Sequence, residues 1–193
     1  MISYDTTTAL VIVDVQNDFA DPDGSLFVEG AESVVPRVNI EIMRAQSAGA
    51  FVAYSQDWHP ASAPEMATDG TARPVHCVQD TWGAELHPGL EVAGPVVRRG
   101  ARGEDGYSAF TMRDPDTGED VATPLHAMLE EMDVQRVVVV GLTLEDAVKA
   151  TALESARKYI TSVVSEACVA IDREPGDGRR AIQEMRDAGV TID

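Results

Sequence analysis

The sequence predicts an α/β fold with three layers, in which a mostly parallel sheet has helices on both faces. Apolar, β-branched runs alternate with segments of helical periodicity. Runs such as residues 137–140 are apolar throughout, which is typical of strands buried on both faces. Strands that alternate with helices are joined by right-handed crossovers and therefore lie parallel. With 193 residues, 44% of them hydrophobic, the chain has enough material for one domain, residues 1–193.

The first elements follow from apolar runs and the residues that end them. Residues 9–13 predict a buried strand, and apolar residues at helical spacing predict a helix over 31–48, which Gly49 ends. Residues 50–54 predict the second strand. Residues 56–94 contain four prolines and little periodicity. So long a loop in a compact domain is usually functional.

The second half of the chain continues the alternation of strands and helices. Strands are predicted at residues 95–98, 136–140 and 160–164, and helices at residues 125–132, 145–158 and 178–188.

Polar residues follow each predicted strand. Asp14 follows the first, Asp57 and His59 follow the second, and Arg98 and Arg99 end the third. In open α/β sheets, ligands bind in the crevice outside the carboxyl ends of the strands. We therefore expect these side chains to meet in one crevice.

Residues 141–147 have the form of a strand-to-helix elbow. The fourth strand stops before Gly141, and Thr143 followed by Asp146 predicts an N-cap resembling a capping box. The first turn of such a helix stabilises anions, lowers a thiol pKa and supports an oxyanion. Ala147 stands where a nucleophile would benefit from this environment, and its methyl group has no such chemistry.

The composition excludes several classes of partner. A formal charge of −18 and a pI near 4.4 oppose binding to nucleic acid or to anionic membranes. No apolar run is long enough to cross a bilayer. Cys77 and Cys168 are far apart and no leader precedes the first strand, so we expect a cytoplasmic protein. Cys77 is expected to be a structural thiol, because nothing places it at a helix N-terminus.

Six motifs follow one another in a specific order. They are VDVQNDF at 13–19, QDWHP at 56–60, PVHCVQ at 74–79, GAELHP at 83–88, YSAF at 107–110 and VKATAL at 148–153. Each is weak alone, but the ordered series resembles the isochorismatase-like hydrolase superfamily, and specifically its nicotinamidase branch. The resemblance implies a three-layer α/β fold and an Asp, Lys and Cys triad beside a divalent metal. Members with that triad hydrolyse a small amide through a thioester.

Two of the three triad positions differ from the family pattern. Asp14 matches the family aspartate, but Arg99 stands at the lysine position and Ala147 at the cysteine position. Arginine keeps the positive charge but does not lose its proton at working pH. We therefore expect thiol-dependent amidase activity to be absent.

The resemblance also implies a metal site and a substrate pocket. Asp57, His59 and His76 match the family's metal ligands, and Glu65 is a candidate for a further oxygen ligand. This donor set suits a divalent ion such as zinc, manganese or iron. The resemblance places Phe19, Arg73, Tyr107, Leu142 and Thr143 in the substrate pocket.

Three functional hypotheses follow. The leading one is a pseudoenzyme that binds a small-molecule ligand or serves as an assembly partner. The second is an active hydrolase of isochorismatase type, with Asp14 as general acid and Arg99 pairing with a substrate carboxylate. The third is hydrolysis of a small amide by water activated on a metal at Asp57, His59 and His76. By analogy with the family, we also expect a homo-oligomer.

Overall fold

The computed structural model describes residues 2–61 and 74–193. The strands are β1 (Thr8–Val13), β2 (Phe51–Asp57), β3 (Val96–Arg99), β4 (Thr111–Arg113), β5 (Asp120–Ala122), β6 (Arg136–Leu142), β7 (Ile160–Val169) and β8 (Thr191–Ile192). The helices are α1 (Asn17–Ala20), α2 (Val34–Ser47), α3 (Leu125–Glu131), α4 (Lys149–Ser155) and α5 (Asp177–Asp187). Within these residues, no helix has both the length and the apolar composition that crossing a membrane requires.

The predicted three-layer α/β fold is confirmed. Six strands form one sheet in the order β3-β2-β1-β6-β7-β8, and every neighbouring pair is parallel. Strands β4 and β5 form a separate antiparallel hairpin. Leu10 and Ile12 of β1 pack with α2, whereas Val11 and Val13 pack with α3, α4 and α5. Because helices cover both faces, β1 is apolar at consecutive positions instead of alternating.

Several strands extend further than predicted. β2 continues to Asp57, β3 to Arg99, β6 to Leu142 and β7 to Val169. The prediction for β2 ended at its last apolar residue, Tyr54, but backbone pairing continues through the polar residues 55–57. Asp57 and Arg99, for example, are register partners in the β2·β3 pair. The polar residues therefore belong to the sheet edge itself.

The elbow after β6 differs from the predicted helix over residues 145–158. A π-helical turn, Leu144–Val148, precedes α4. Thr143 is its N-cap residue, as predicted, but the Thr143 side chain makes no capping hydrogen bond. The Thr143 hydroxyl instead lies 3.3 Å from the carboxylate of Asp146. The backbone carbonyl of Thr143 accepts the N–H groups of Asp146 and Val148. The elbow is thus held by backbone hydrogen bonds, which cannot be predicted from the sequence motif.

The short elements α1, β4, β5 and β8 were not predicted, because segments of two to four residues show no periodicity. By contrast, α3 and α5 agree with the predicted helices to within one residue at each end.

Gly141 allows β6 to approach β1 at the start of the elbow. Its φ is +121°, and an added Cβ would lie 2.1 Å from the carbonyl oxygen of Val13. We expect Gly141→Ala to lower the free energy of unfolding by more than about 2 kcal/mol, because backbone strain and a backbone clash combine. Urea denaturation measures this loss.

Gly103→Ala is the matched control for this prediction. Gly103 also has a positive φ, +89°, but nothing lies within 4 Å of its added Cβ. Its loss should be only about 1–2 kcal/mol, the cost of the left-handed conformation alone. Equal losses in the two variants would contradict the importance of the close approach at Gly141.

Candidate active site

Side chains from neighbouring strands meet at the carboxyl edge of the sheet. Asp14 directly follows β1, Asp57 ends β2, Arg99 ends β3 and Thr143 directly follows β6. These four strands are adjacent in the order β3-β2-β1-β6. The sheet therefore places a carboxylate and a guanidinium side by side and brings the elbow to the same edge.

A cavity of about 370 Å³ opens at this edge. Nine of the residues proposed from the sequence line it: Asp14, Phe19, Asp57, His59, His76, Tyr107, Leu142, Thr143 and Ala147. Arg99 is not part of the lining, because its side chain is only 1% exposed and lies beneath the cavity floor. Arg73 and Glu65, the other two residues proposed from the sequence, lie outside the described residues.

Both terminal nitrogens of Arg99 contact protein groups. Its Nη2 contacts the Asp14 carboxylate and lies 2.7 Å from Oδ1 of Asp57. Its Nη1 donates to the carbonyl oxygen of Gly106 at 2.6 Å. The structure therefore does not present Arg99 to a substrate carboxylate: its terminal nitrogens contact protein groups, and its side chain is not part of the cavity lining.

The two carboxylates beside Arg99 differ in their affinity for a proton. Burial raises the pKa of Asp14, although Arg99 and a hydrogen bond from Ser55 at 2.6 Å oppose the increase. Burial acts in the same direction on Asp57, but Arg99 and then His59 outweigh it and lower the pKa of that carboxyl. Asp14 is thus the carboxyl group that exchanges a proton more readily with a group in the cavity.

Asp57, His59 and His76, which we call the metal trio, have donor atoms within 4.8 Å of one another. The Nε2 atoms of His59 and His76 lie 3.6 Å and 4.0 Å from Oδ2 of Asp57. Nδ1 of His76 lies 2.9 Å from the carbonyl oxygen of Pro74, and this contact leaves Nε2 of His76 facing Asp57. One carboxylate and two imidazoles fit a divalent ion.

Asp57 also changes the proton affinity of His59. Burial opposes protonation of His59, but the hydrogen bond and charge of Asp57 outweigh it and raise the pKa of the imidazole. A divalent ion bound here would compete with a proton for the His59 imidazole and would polarise a ligand atom in the cavity.

No thiolate is available at this site. Ala147 is part of the cavity lining, and the chain has two cysteines, both buried. Burial, followed by the nearby carboxylates, raises the pKa of Cys77 well above its usual value. Burial raises the pKa of Cys168 to about 12. Both thiols therefore stay protonated near neutral pH, and neither side chain lines the cavity.

Sequence reasoning missed part of the cavity wall. The additional lining includes Ser25, Leu26, Phe27, Val75, Asp105, Asp146, Ile171 and Arg173. Ile171 and Arg173 follow the true end of β7, so the strand-end rule would have found them had β7 been extended to Val169. Nη2 of Arg173 lies 2.5 Å from the carboxylate of Asp146.

Glu145, on the elbow, holds this loop in place. Its buried Oε1 accepts the backbone N–H groups of Ile171 and Asp172 at 2.7 Å and 3.0 Å. The loop after β7 is therefore attached to the π-helical turn and positions Arg173 at the cavity.

Comparisons with known proteins show which family the chain belongs to. A family model described as the isochorismatase domain matches residues 8–192. The nicotinamidase of Escherichia coli K12 is 35% identical over 203 residues, covering 95% of this chain and 93% of that protein.

Two solved structures share the fold over almost the whole chain. PnC1 from L. infantum, in complex with nicotinate, has a TM-score of 0.85 and 31% identity, covering 100% of this chain and 95% of that one. The pyrazinamidase of Pyrococcus horikoshii, in complex with zinc, has a TM-score of 0.83 and 31% identity, covering 97% and 98%.

The ion pairs of Arg99 predict a large effect on stability. Arg99→Met would leave the buried Asp14 and the partly buried Asp57 side by side without a cation, so we expect the free energy of unfolding to fall by about 3–5 kcal/mol. Arg102→Met is the control, because Arg102 pairs with Glu104 but its side chain is 76% exposed. Its loss should be below about 1 kcal/mol.

Urea denaturation at neutral pH compares the two variants. Adding Asp14→Asn to Arg99→Met should recover part of the loss, since one of the two unpaired charges is removed. A loss for Arg99→Met as small as that for Arg102→Met would show that Arg99 is not needed to hold the carboxylates.

Proposed function

This chain belongs to the isochorismatase family, in its nicotinamidase branch, and from that premise we propose that it is a ligand-binding protein that has lost thiol-dependent amide hydrolysis. The observation that supports this most directly is Ala147 in the wall of the cavity. Both cysteines of the chain are buried elsewhere and hold their protons.

Thiol chemistry requires a thiolate within reach of the ligand carbonyl and a base that takes its proton. Asp14 retains the properties of such a base, but no thiol lies in the cavity wall for it to deprotonate. Arg99, at the position of the family lysine, neutralises Asp14 and Asp57 and faces neither ligand nor solvent. The other residues of the cavity wall bind and orient a ligand, and they do not attack it.

The wall of the cavity suits a small, flat, uncharged ligand. The ring centroids of Phe19 and His76 lie 5.7 Å apart, and Phe27 and Tyr107 add further aromatic surface. A volume of about 370 Å³ is within the range of small-molecule sites. Nicotinamide has this shape and is uncharged.

The charge of the wall disfavours an anionic ligand. Asp14, Asp57, Asp105 and Asp146 line the cavity. Arg99 beneath the floor and Arg173 at the wall offset only part of this charge. We therefore favour an amide over the corresponding carboxylate, and we disfavour an isochorismatase-type substrate, which needs a cation that Arg99 does not provide.

A metal-assisted hydrolase is the second candidate, because the metal trio lies in the wall of the same cavity. In that case Asp57, His59 and His76 would hold the ion, and Asp14 would exchange a proton with the ligand. The two candidates differ in one observable, which is release of ammonia that depends on added divalent metal.

Nicotinamide is the first ligand to test. We expect calorimetry to detect binding by the purified protein and to find it weakened at least about tenfold in Asp14→Ala, because a carboxyl group of the cavity wall is lost. We expect no ammonia release above that of Asp14→Ala, with or without zinc or manganese. Release that depends on both Asp14 and the metal would favour the second candidate, and release without metal would contradict the loss of hydrolysis.

Restoring the missing groups tests whether only the chemistry was lost. We expect Ala147→Cys together with Arg99→Lys to hydrolyse nicotinamide on the order of 10²-fold or more above the parent protein, since a nucleophile regains a neighbouring base. Ammonia release measures the rate, and Ala147→Ser with Arg99→Lys is the matched control. A folded but inert Cys variant would show that the cavity no longer positions an amide for attack.

A further inference from the structure

Arg99 contacts a carboxylate that belongs to the metal trio. Its Nη2 lies 2.7 Å from Oδ1 of Asp57, while Oδ2 of the same carboxylate faces His59 and His76. A divalent ion held by the trio would therefore share Asp57 with a guanidinium, through opposite oxygens of one carboxylate. As long as Arg99 occupies Oδ1, Asp57 offers the ion a single oxygen.

The charge of Arg99 is permanent and fixed in position. The side chain is 1% exposed, and its Nη1 and Nη2 bond Gly106, Asp14 and Asp57. Its Nε has no hydrogen-bond partner among the described residues, so the two carboxylates and the Gly106 carbonyl set its placement. Burial lowers the pKa of Arg99, but Asp14 and Asp57 outweigh it, and a guanidinium does not lose its proton at working pH.

A group beside a ligating carboxylate acts on metal binding in one of two directions. A hydrogen-bond donor that orients the carboxylate supports the metal, and removing such a donor typically weakens affinity 10- to 100-fold. A full positive charge held one carboxylate away repels the ion, and weak screening in the interior strengthens that repulsion. Arg99 differs from an ordinary orienting donor because it is charged, buried and shared between two carboxylates.

We propose that Arg99 is an internal cation that antagonises divalent-metal binding at Asp57, His59 and His76. Arg99 neutralises part of the negative charge that would attract the ion, and it withholds one oxygen of Asp57. Because the sheet register pairs Asp57 with Arg99, this antagonism is a consequence of the fold. The proposal concerns metal affinity alone, so it stands or falls independently of whether the cavity hydrolyses or binds an amide.

Zinc titration of the metal-free protein, by calorimetry and by competition with a chelator, tests the proposal. We expect Arg99→Gln to bind zinc at least tenfold more tightly than the parent, because the glutamine amide removes the charge and releases Oδ1 of Asp57. Arg102→Gln removes an exposed arginine outside the site and should leave zinc affinity unchanged. Adding Asp57→Asn to Arg99→Gln should abolish the gain, which assigns it to the trio.

A charge-balanced variant keeps the test decisive if Arg99→Gln does not fold. Asp14→Asn with Arg99→Gln removes one buried charge of each sign and keeps all three residues of the trio, so it should also bind zinc at least tenfold more tightly. Asp14→Asn alone leaves Arg99 to pair with Asp57 and should not tighten binding. Unchanged or weaker zinc affinity in the folded Arg99 variants would overturn the proposal and make Arg99 a support of the site.

Discussion

The guanidinium of Arg99 is the constraint around which the carboxyl edge of the sheet is organised. Asp14, directly after β1, and Asp57, at the end of the adjacent β2, lie close together and carry the same charge, so they require a cation between them. The β2·β3 register supplies the contact with Asp57, and the length of the arginine side chain supplies the contact with Asp14. The other oxygen of each carboxylate has a different partner: Oδ1 of Asp14 accepts from the buried Ser55 hydroxyl, and Oδ2 of Asp57 faces His59 and His76.

This arrangement explains why a cation lies beside Asp14 and Asp57 although no thiol lies in the cavity wall. A lysine beside a catalytic thiol mainly stabilises the carboxylate and thiolate anions. Without the thiol, that role is lost. A cation is still needed to hold two buried carboxylates, and arginine can bond both at once. Ala147 and Arg99 are therefore consistent with each other: one removes the nucleophile, and the other keeps the counter-charge that the fold requires.

The sequence predicted the parallel sheet, its covering helices and the strand ends at which Asp14, Asp57 and Arg99 meet. These predictions succeeded because burial on both faces leaves long apolar runs, and because parallel strands gather their carboxyl ends at one edge. The ends of β2 and β7 were predicted too early. Thr143 is the N-cap residue, as predicted, but it makes no side-chain capping bond. In β2, backbone pairing continues past the last apolar residue. The elbow is closed by main-chain hydrogen bonds, which cannot be predicted from the identities of the side chains.

By itself, the sequence determined which layers form, which residues reach the functional edge and that no nucleophile occupies position 147. Those properties depend on hydrophobic periodicity and residue identity, which are local. Only the tertiary structure decided that Arg99 lies beneath the cavity instead of facing a ligand, and that it contacts a residue of the metal trio. That outcome depends on strand register and on the direction of one long side chain, and both are settled by packing between segments distant in the chain.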